Sequence, residues 1–328
     1  MFIQFRTLCF AVLSLVFLGN EAHAVLALRG PVDPAHGFPK WYKDSRGLRM
    51  TLCLDHGPIC GPLEDVDPNF PVRFPTNFPG EAFWWSAEAT ANVGNGEVLL
   101  VYAMEAAFAN EIPRAGDRVS FGRVRIRSEG LRLGTYRILH PYGSKTFRVT
   151  NTVGRQINDT EDIGLTPEKF DGALKSNIGP FLKWNPAFEP AAPEGYVGDP
   201  QVPHRVIGSP IGRNFLQVQR LSGGVFRAVA TQRLFNVLGK IATGPEEPVL
   251  AITPRGGILR GAARKVSVTS SVPADIFYTL DGSNPLTSSS RQLYTGPIEI
   301  VDCAGFKFAA ANDGAASEVS SENYVVIP

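Results

Sequence analysis

Three acids stand among apolar and aromatic residues, Glu81, Glu88 and Glu105, and they are the candidates for acid–base work on a glycosidic bond. That chemistry needs two carboxyl groups flanking a sugar, one protonated and one ionised. Glu88 and Glu105 fall on strand-like segments, but no spacing motif ties any two of the three together. The competing reading is solvated or capping carboxylates. Nucleophilic chemistry has less to work with. His-Glu-x-x-His, Gly-x-Ser-x-Gly and Walker signatures do not occur. Gly208-Ser-Pro-Ile-Gly212 reads as a turn, and downstream of residue 24 a Ser-His-Asp assembly could draw only on His36, His56, His140 and His204.

Flat rings offer a different chemistry, stacking on sugar faces. Trp41, Tyr42, Trp84, Trp85, Trp184 and Tyr196 lie in turn-rich segments that could present them to a ligand. Neighbours on a strand point to opposite faces, so at most one of Trp84 and Trp85 need enter the core. Core packing competes with the ligand reading, because Trp is highly buried on average. The row Arg123, Arg125 and Arg127 alternates with Val124 and Ile126. It is either a contact for an anionic glycan or a solvated sheet face.

Cys53-Leu-Asp-His-Gly-Pro-Ile-Cys60 closes a short loop. A local disulfide and a metal site using both thiolates, His56 and Asp55 compete here. Zinc sites more often use two-residue spacings with a second ligand pair further on, which is not present, so the disulfide is expected and no metal or cofactor is. Cys303 has no evident partner and reads as a small apolar packing residue.

The compartment follows from the first 24 residues. A cationic start at Met1–Arg6, an apolar stretch over Thr7–Gly19 and Ala22-His-Ala24 form a signal peptide, removed to leave a chain starting near Val25. That stretch is shorter than the roughly 20 residues of a bilayer span, and no later segment is apolar enough to be one. Lys+Arg number 32 against Asp+Glu 31, a net charge of +1 that argues against nucleic acid or an acidic membrane surface as partner. Hydrophobic residues make up 44% of the 328, charged ones 19%, with Gly 33 and Pro 26. Such a turn-rich, charge-poor chain predicts β structure.

The elements that must position these residues are strands. Residues 25–80 are dense in Pro and Gly, with one clear strand at Met50–Leu54, and are expected to wrap the following domain using Phe side chains as anchors. Residues 81–243 hold an apolar run at Glu97–Met104, a buried strand whose continuation at Glu105–Ala109 could equally begin a helical turn. Strands at about ten-residue spacing over 118–150 predict a sandwich or barrel, and Thr166–Lys175 predicts one short helix. Residues 244–248 read as a linker before 249–328.

In that last segment stand Tyr278-Thr-Leu-Asp-Gly-Ser-Asn-Pro285 and Leu293-Tyr-Thr-Gly-Pro-Ile298. The segment resembles the chitobiase/β-hexosaminidase C-terminal type of domain, with Leu286 where that family usually has Thr and Phe306-Lys-Phe308 in place of Val-Lys-Ala. The resemblance implies an immunoglobulin-like sandwich serving as spacer, partner of a catalytic domain or glycan contact. Independently of it, Asp281-Gly282 is a turn pair whose glycine supplies positive φ.

Together these readings predict an all-β exported protein: an N-terminal wrapping segment, a central sandwich-like domain and a C-terminal immunoglobulin-like sandwich. The expected function is non-catalytic binding of carbohydrate or a cell-surface partner. Alternatives are a polysaccharide hydrolase working from the central domain, and a structural module binding protein through sheet edges.

Overall fold

A computed structural model describes residues 26–61, 63–260 and 264–327. The expected signal peptide, residues 1–24, lies outside the described residues. The chain is nearly all β, as its composition predicts.

Strands β1 (Leu26–Arg29), β2 (Trp41–Asp44), β3 (Arg49–Thr51), β4 (Glu81–Val93), β5 (Gly96–Phe108), β6 (Arg118–Glu129), β7 (Gly134–His140), β8 (Gly143–Val149), β9 (Arg155–Ile163), β10 (Lys183–Trp184), β11 (His204–Ile207), β12 (Leu216–Ser222), β13 (Val225–Gln232) and β14 (Leu234–Ile241) build the larger body. The main sheet runs β1-β2-β3-β14-β4-β5-β6-β9, with β11 also on β14 and β10 on β11. The order β13-β12-β7-β8 forms a second sheet.

Three long strands carry the sandwich. β4 and β5 join through Gly94-Asn95, where Val93 faces Gly96 and Gly94 takes φ +63°. In β5 the even-numbered residues Val98, Leu100, Tyr102, Met104, Ala106 and Phe108 are buried in the main core. Glu105–Phe108 continues this strand and starts no helical turn, since Glu105 pairs with Phe83 on one side and Phe121 on the other. Ladder bonds on both edges favour the extended chain over helix formation there.

β4 corrects one expectation. A β-bulge between Phe83 and Trp85 inserts an extra residue. Before it Ala82 and Trp84 enter the core, and after it Trp85, Ala87, Ala89 and Ala91 do. The bulge shifts the parity, so the two adjacent Trp side chains share the core.

The N-terminal segment does more than wrap, because it supplies three strands to the main sheet. The Tyr42 hydroxyl enters the core and is satisfied by Ser120 Oγ at 2.6 Å and the Phe170 carbonyl at 2.9 Å. The rings of Phe74 and Phe78 lie 6.0 and 6.2 Å from that of Phe108, whereas Phe70 is exposed. The predicted short helix is a 3-10 helix over Phe170–Lys175. Gly122 on β6 lets the following chain pass close, for a Cβ there would lie 2.2 Å from Ser176 Oγ.

A separate cluster, including Ile252, Val266, Val268, Phe306, Phe308 and Tyr324, forms the core of the C-terminal sandwich. At its Asp281 turn Gly282 takes φ +77°. Hydrogen bonds from Ser283 first, then Ser290, lower the Asp281 carboxyl to about 2. Cys303 does not pack as an apolar residue. It is exposed, in the loop between the buried Ile300 and the strand Ala304–Asn312.

Residues 244–248 lie along β2 rather than free in solvent. Trp41 Nε1 donates to Glu247 at 2.6 Å, Lys40 pairs with Glu247 at 3.1 Å, and Lys43 pairs with Glu246. Partly exposed pairs of this kind are worth about 0.5–1 kcal/mol each. Replacing Glu246 and Glu247 together by alanine is therefore expected to cost about 2 kcal/mol, lowering the melting temperature by several degrees, and to accelerate proteolysis between residues 242 and 250. Unchanged cleavage would show that backbone packing alone holds the linker.

Candidate functional site

The outer face of the main sheet, away from the sandwich core, carries a cavity of about 570 Å³ over the β4–β5–β6 end. Register places its floor. Glu105 on β5 stands directly between Phe83 on β4 and Phe121 on β6, and Glu81 faces Ala107 two pairs along, on the same face. On β6, Arg123 lies opposite Asp162 of β9. Its Nε and Nη2 each donate to Asp162 at 2.8 Å. This fork-to-fork pair fixes the guanidinium, which also lies 5.0 Å from the Phe121 ring centre.

Only Nη1 remains for the other acids. It donates to Glu105 Oε1 at 3.3 Å, stands 3.1 Å from Oε2, and is 3.9 Å from Glu81. The 3.1 Å approach brings no hydrogen aligned on Oε2, which has no hydrogen bond. Glu105 is 1% exposed. Burial first, then the hydrogen bond and charge of Glu81, push its carboxyl up to about 9, against the pull of Arg123. A carboxylic acid kept neutral near pH 7, beside a second acid and a cavity, is a candidate functional group.

The remaining walls come from the segment that follows the disulfide loop and from turns at the end of the sheet. Glu64, Asp65 and Glu111 line the opening, with Phe108, Val119 and Leu165 as apolar wall. Cys53 and Cys60 are bonded, with Cα atoms 5.3 Å apart, so both sulfurs are withdrawn from the alternative metal set. Among the described residues no group of three or more His, Cys, Asp or Glu side chains converges to hold a metal ion. Cys53 is bridged to Phe83, and Asp55 accepts from Lys240 at 2.6 Å and the Tyr196 hydroxyl at 2.7 Å. Burial alone would raise the Asp55 carboxyl, yet those two hydrogen bonds hold it below its ordinary value. Reducing the disulfide frees an eight-residue loop, a loss of roughly 2 kcal/mol by loop-closure entropy. A denaturant midpoint that does not move on reduction would show that the Asp55 contacts fix the loop unaided.

The sequence candidates divide sharply. Glu81 and Glu105 meet, whereas Glu88 lies further along β4, opposite Val101 and Asn236. Of the six rings, Trp41, Tyr42, Trp84, Trp85 and Trp184 are buried, and only Tyr196 keeps partial exposure. A row of open stacking faces does not form, because apolar area gains more from burial than from exposure to water. Trp84 Nε1 donates to the Pro39 carbonyl and Trp85 Nε1 to that of Leu182, so even the polar edges of these two rings are consumed. Two of the three arginines in the row are paired across the sheet, Arg123 with Asp162 and Arg125 donating to Thr160 at 3.3 Å, while Arg127 Nε has no hydrogen bond. Asp162 escaped the sequence reading, and Arg123 entered it only as one member of a basic row. Their one sequence signal is an isolated acid, Glu105, inside an apolar run.

A second concavity, about 400 Å³, lies where Arg29 meets Asp171 at 2.7 Å and Glu318 at 3.1 Å, between the larger body and the C-terminal sandwich.

The architecture is an all-β body with an acid-lined cavity, followed by an immunoglobulin-like sandwich. Residues 254–322 match the family model of the chitobiase/beta-hexosaminidase C-terminal domain, as the Tyr278–Pro285 motif led one to expect. A crystal structure of murine CEACAM1b aligns over 62% of this chain and 92% of its own, at 11% identity and a TM-score of 0.18. No curated protein matches the chain. The matched segment ties the C-terminal part to carbohydrate-active proteins. Among the described residues no helix is long and apolar enough to cross a membrane.

Proposed function

We propose that this is an exported, non-catalytic protein that binds carbohydrate at the cell surface, in the periplasm or outside the cell, with the cavity over Glu105 as the contact site. The observation that carries this reading is the chitobiase/beta-hexosaminidase C-terminal domain at residues 254–322, joined through a pinned linker to a body with one acid-lined, apolar-walled cavity on its sheet. Carboxylates accept hydrogen bonds from sugar hydroxyls, and Phe108, Val119 and Leu165 give the apolar surface that a pyranose face needs. The Cys53–Cys60 disulfide suits an oxidising compartment.

A glycan array probed with residues 25–328 tests this directly. Binding to at least one polysaccharide, weakened by Glu81→Gln or Glu64→Gln, is expected; an array blank at every position overturns it. The hydrolase reading draws on one observation, that Glu81 and Glu105 share the Arg123 guanidinium. Sugar release from any polysaccharide, abolished by Glu81→Gln, would replace binding with hydrolysis.

A further inference from the structure

We infer that the cavity over Glu105 selects a ligand carrying a protonated amine and, within the carbohydrate reading on which this rests, an amino sugar whose nitrogen is free rather than acylated. The charge on its walls points there. Glu64, Asp65, Glu81, Glu105 and Glu111 line it, against the single guanidinium of Arg123. That guanidinium is largely spent, since two of its three nitrogens are held by Asp162. Glu105 is 99% withdrawn from solvent between Phe83 and Phe121, yet its Oε2 has no hydrogen bond. A buried carboxyl oxygen without a hydrogen-bond partner is costly, and a polar group brought by a ligand relieves it.

The carboxyls are too dispersed for a metal ion, as no three of them converge. A larger cation with hydrogen-bond donors and a carbon frame fits better. An ammonium brings three N–H donors, and the carbon frame meets Val119, Phe108 and Leu165. The groups facing Glu105 are Glu81 from β4, Arg123 from β6 and Asp162 from β9. Their balance leaves Glu105 holding a proton at neutral pH. An arriving ammonium favours the ionised carboxylate, so the Glu105 O–H bond breaks and its proton passes to solvent while the ammonium keeps all of its own.

Calorimetry on residues 25–328 at pH 7, in phosphate and again in Tris, tests this with three probes: a glucosamine tetramer, its fully N-acetylated counterpart, and benzylammonium. The glucosamine tetramer is expected to bind at least tenfold more tightly than the acetylated one, with an enthalpy that differs between the buffers because a proton is released. Glu105→Gln should remove the buffer dependence. Glu81→Gln, on a half-exposed side chain that folding does not require, should cut the preference severalfold. Equal binding of the two tetramers overturns the amine inference and leaves the carbohydrate reading standing. Benzylammonium binding with neither tetramer bound upholds the cation site and overturns the carbohydrate reading. No binding by any of the three overturns the inference.

Discussion

Trp85→Ala is expected to destabilise the protein by about 4 kcal/mol, as truncation of a fully buried Trp removes transfer energy and leaves a cavity. The ring is 0% exposed, packs 5.2 Å from Phe181 and 6.4 Å from Tyr102, and donates its N–H to the Leu182 carbonyl at 2.9 Å. Removing it therefore orphans a buried acceptor and loosens the chain at Phe181–Leu182 from the main sheet. Urea unfolding followed by fluorescence of the remaining tryptophans measures the loss. A small stability change with selective loss of glycan binding would instead place this ring at the ligand, against its burial. Trp84→Ala should behave alike, because the bulge sends both rings into one core.

The second large effect is a change in how stability depends on pH. Glu105 has its carboxyl pushed from an ordinary 4.5 up to about 9 by burial first and Glu81 next. Because the folded value lies above the unfolded one, its favourable contribution is complete below pH 4.5 and is lost as pH rises towards 9. Between pH 4.5 and 7 the loss amounts to roughly 3 kcal/mol, from about 1.4 kcal/mol per pH unit. Glu105→Gln keeps the shape and removes the ionisation. The variant should be flatter than the parent over this range and more stable above pH 7. Parallel stability curves for parent and variant, measured by urea midpoints at pH 4.5, 7 and 9, would show instead that Glu105 is ionised against Arg123 in the folded protein.

Local pattern was enough for some of the architecture. The apolar run over Glu97–Met104 marks a buried strand, the Cys53–Cys60 spacing marks the disulfide, and the Tyr278–Pro285 motif marks the C-terminal sandwich. Each of these signals is contained within a few residues of chain. Asp281-Gly282 shows why that suffices, since the turn is made by its own hydroxyl and amide neighbours.

The candidate site was legible only in pieces. Glu81 and Glu105 stand out in sequence as acids in apolar surroundings, but nothing local says that they meet. Their meeting depends on the register of β4 against β5, which the bulge beside Trp84 offsets by one residue. Arg123 looked like one member of a basic row, and only its pairing across to Asp162 leaves one nitrogen facing Glu105. Cys303 shows the same limit from the other side, for an apolar setting in sequence gave no sign that its loop leaves the core.

The amino-acid sequence by itself determined that the protein is built of strands, that one loop is closed by a disulfide and that the chain ends in a chitobiase-type sandwich. Those properties follow from side-chain periodicity and turn chemistry, which act between near neighbours. The tertiary structure alone decided that the tryptophans are core and that the acids line a cavity. Burial and carboxyl protonation depend on what packs from distant strands, through desolvation and charge proximity.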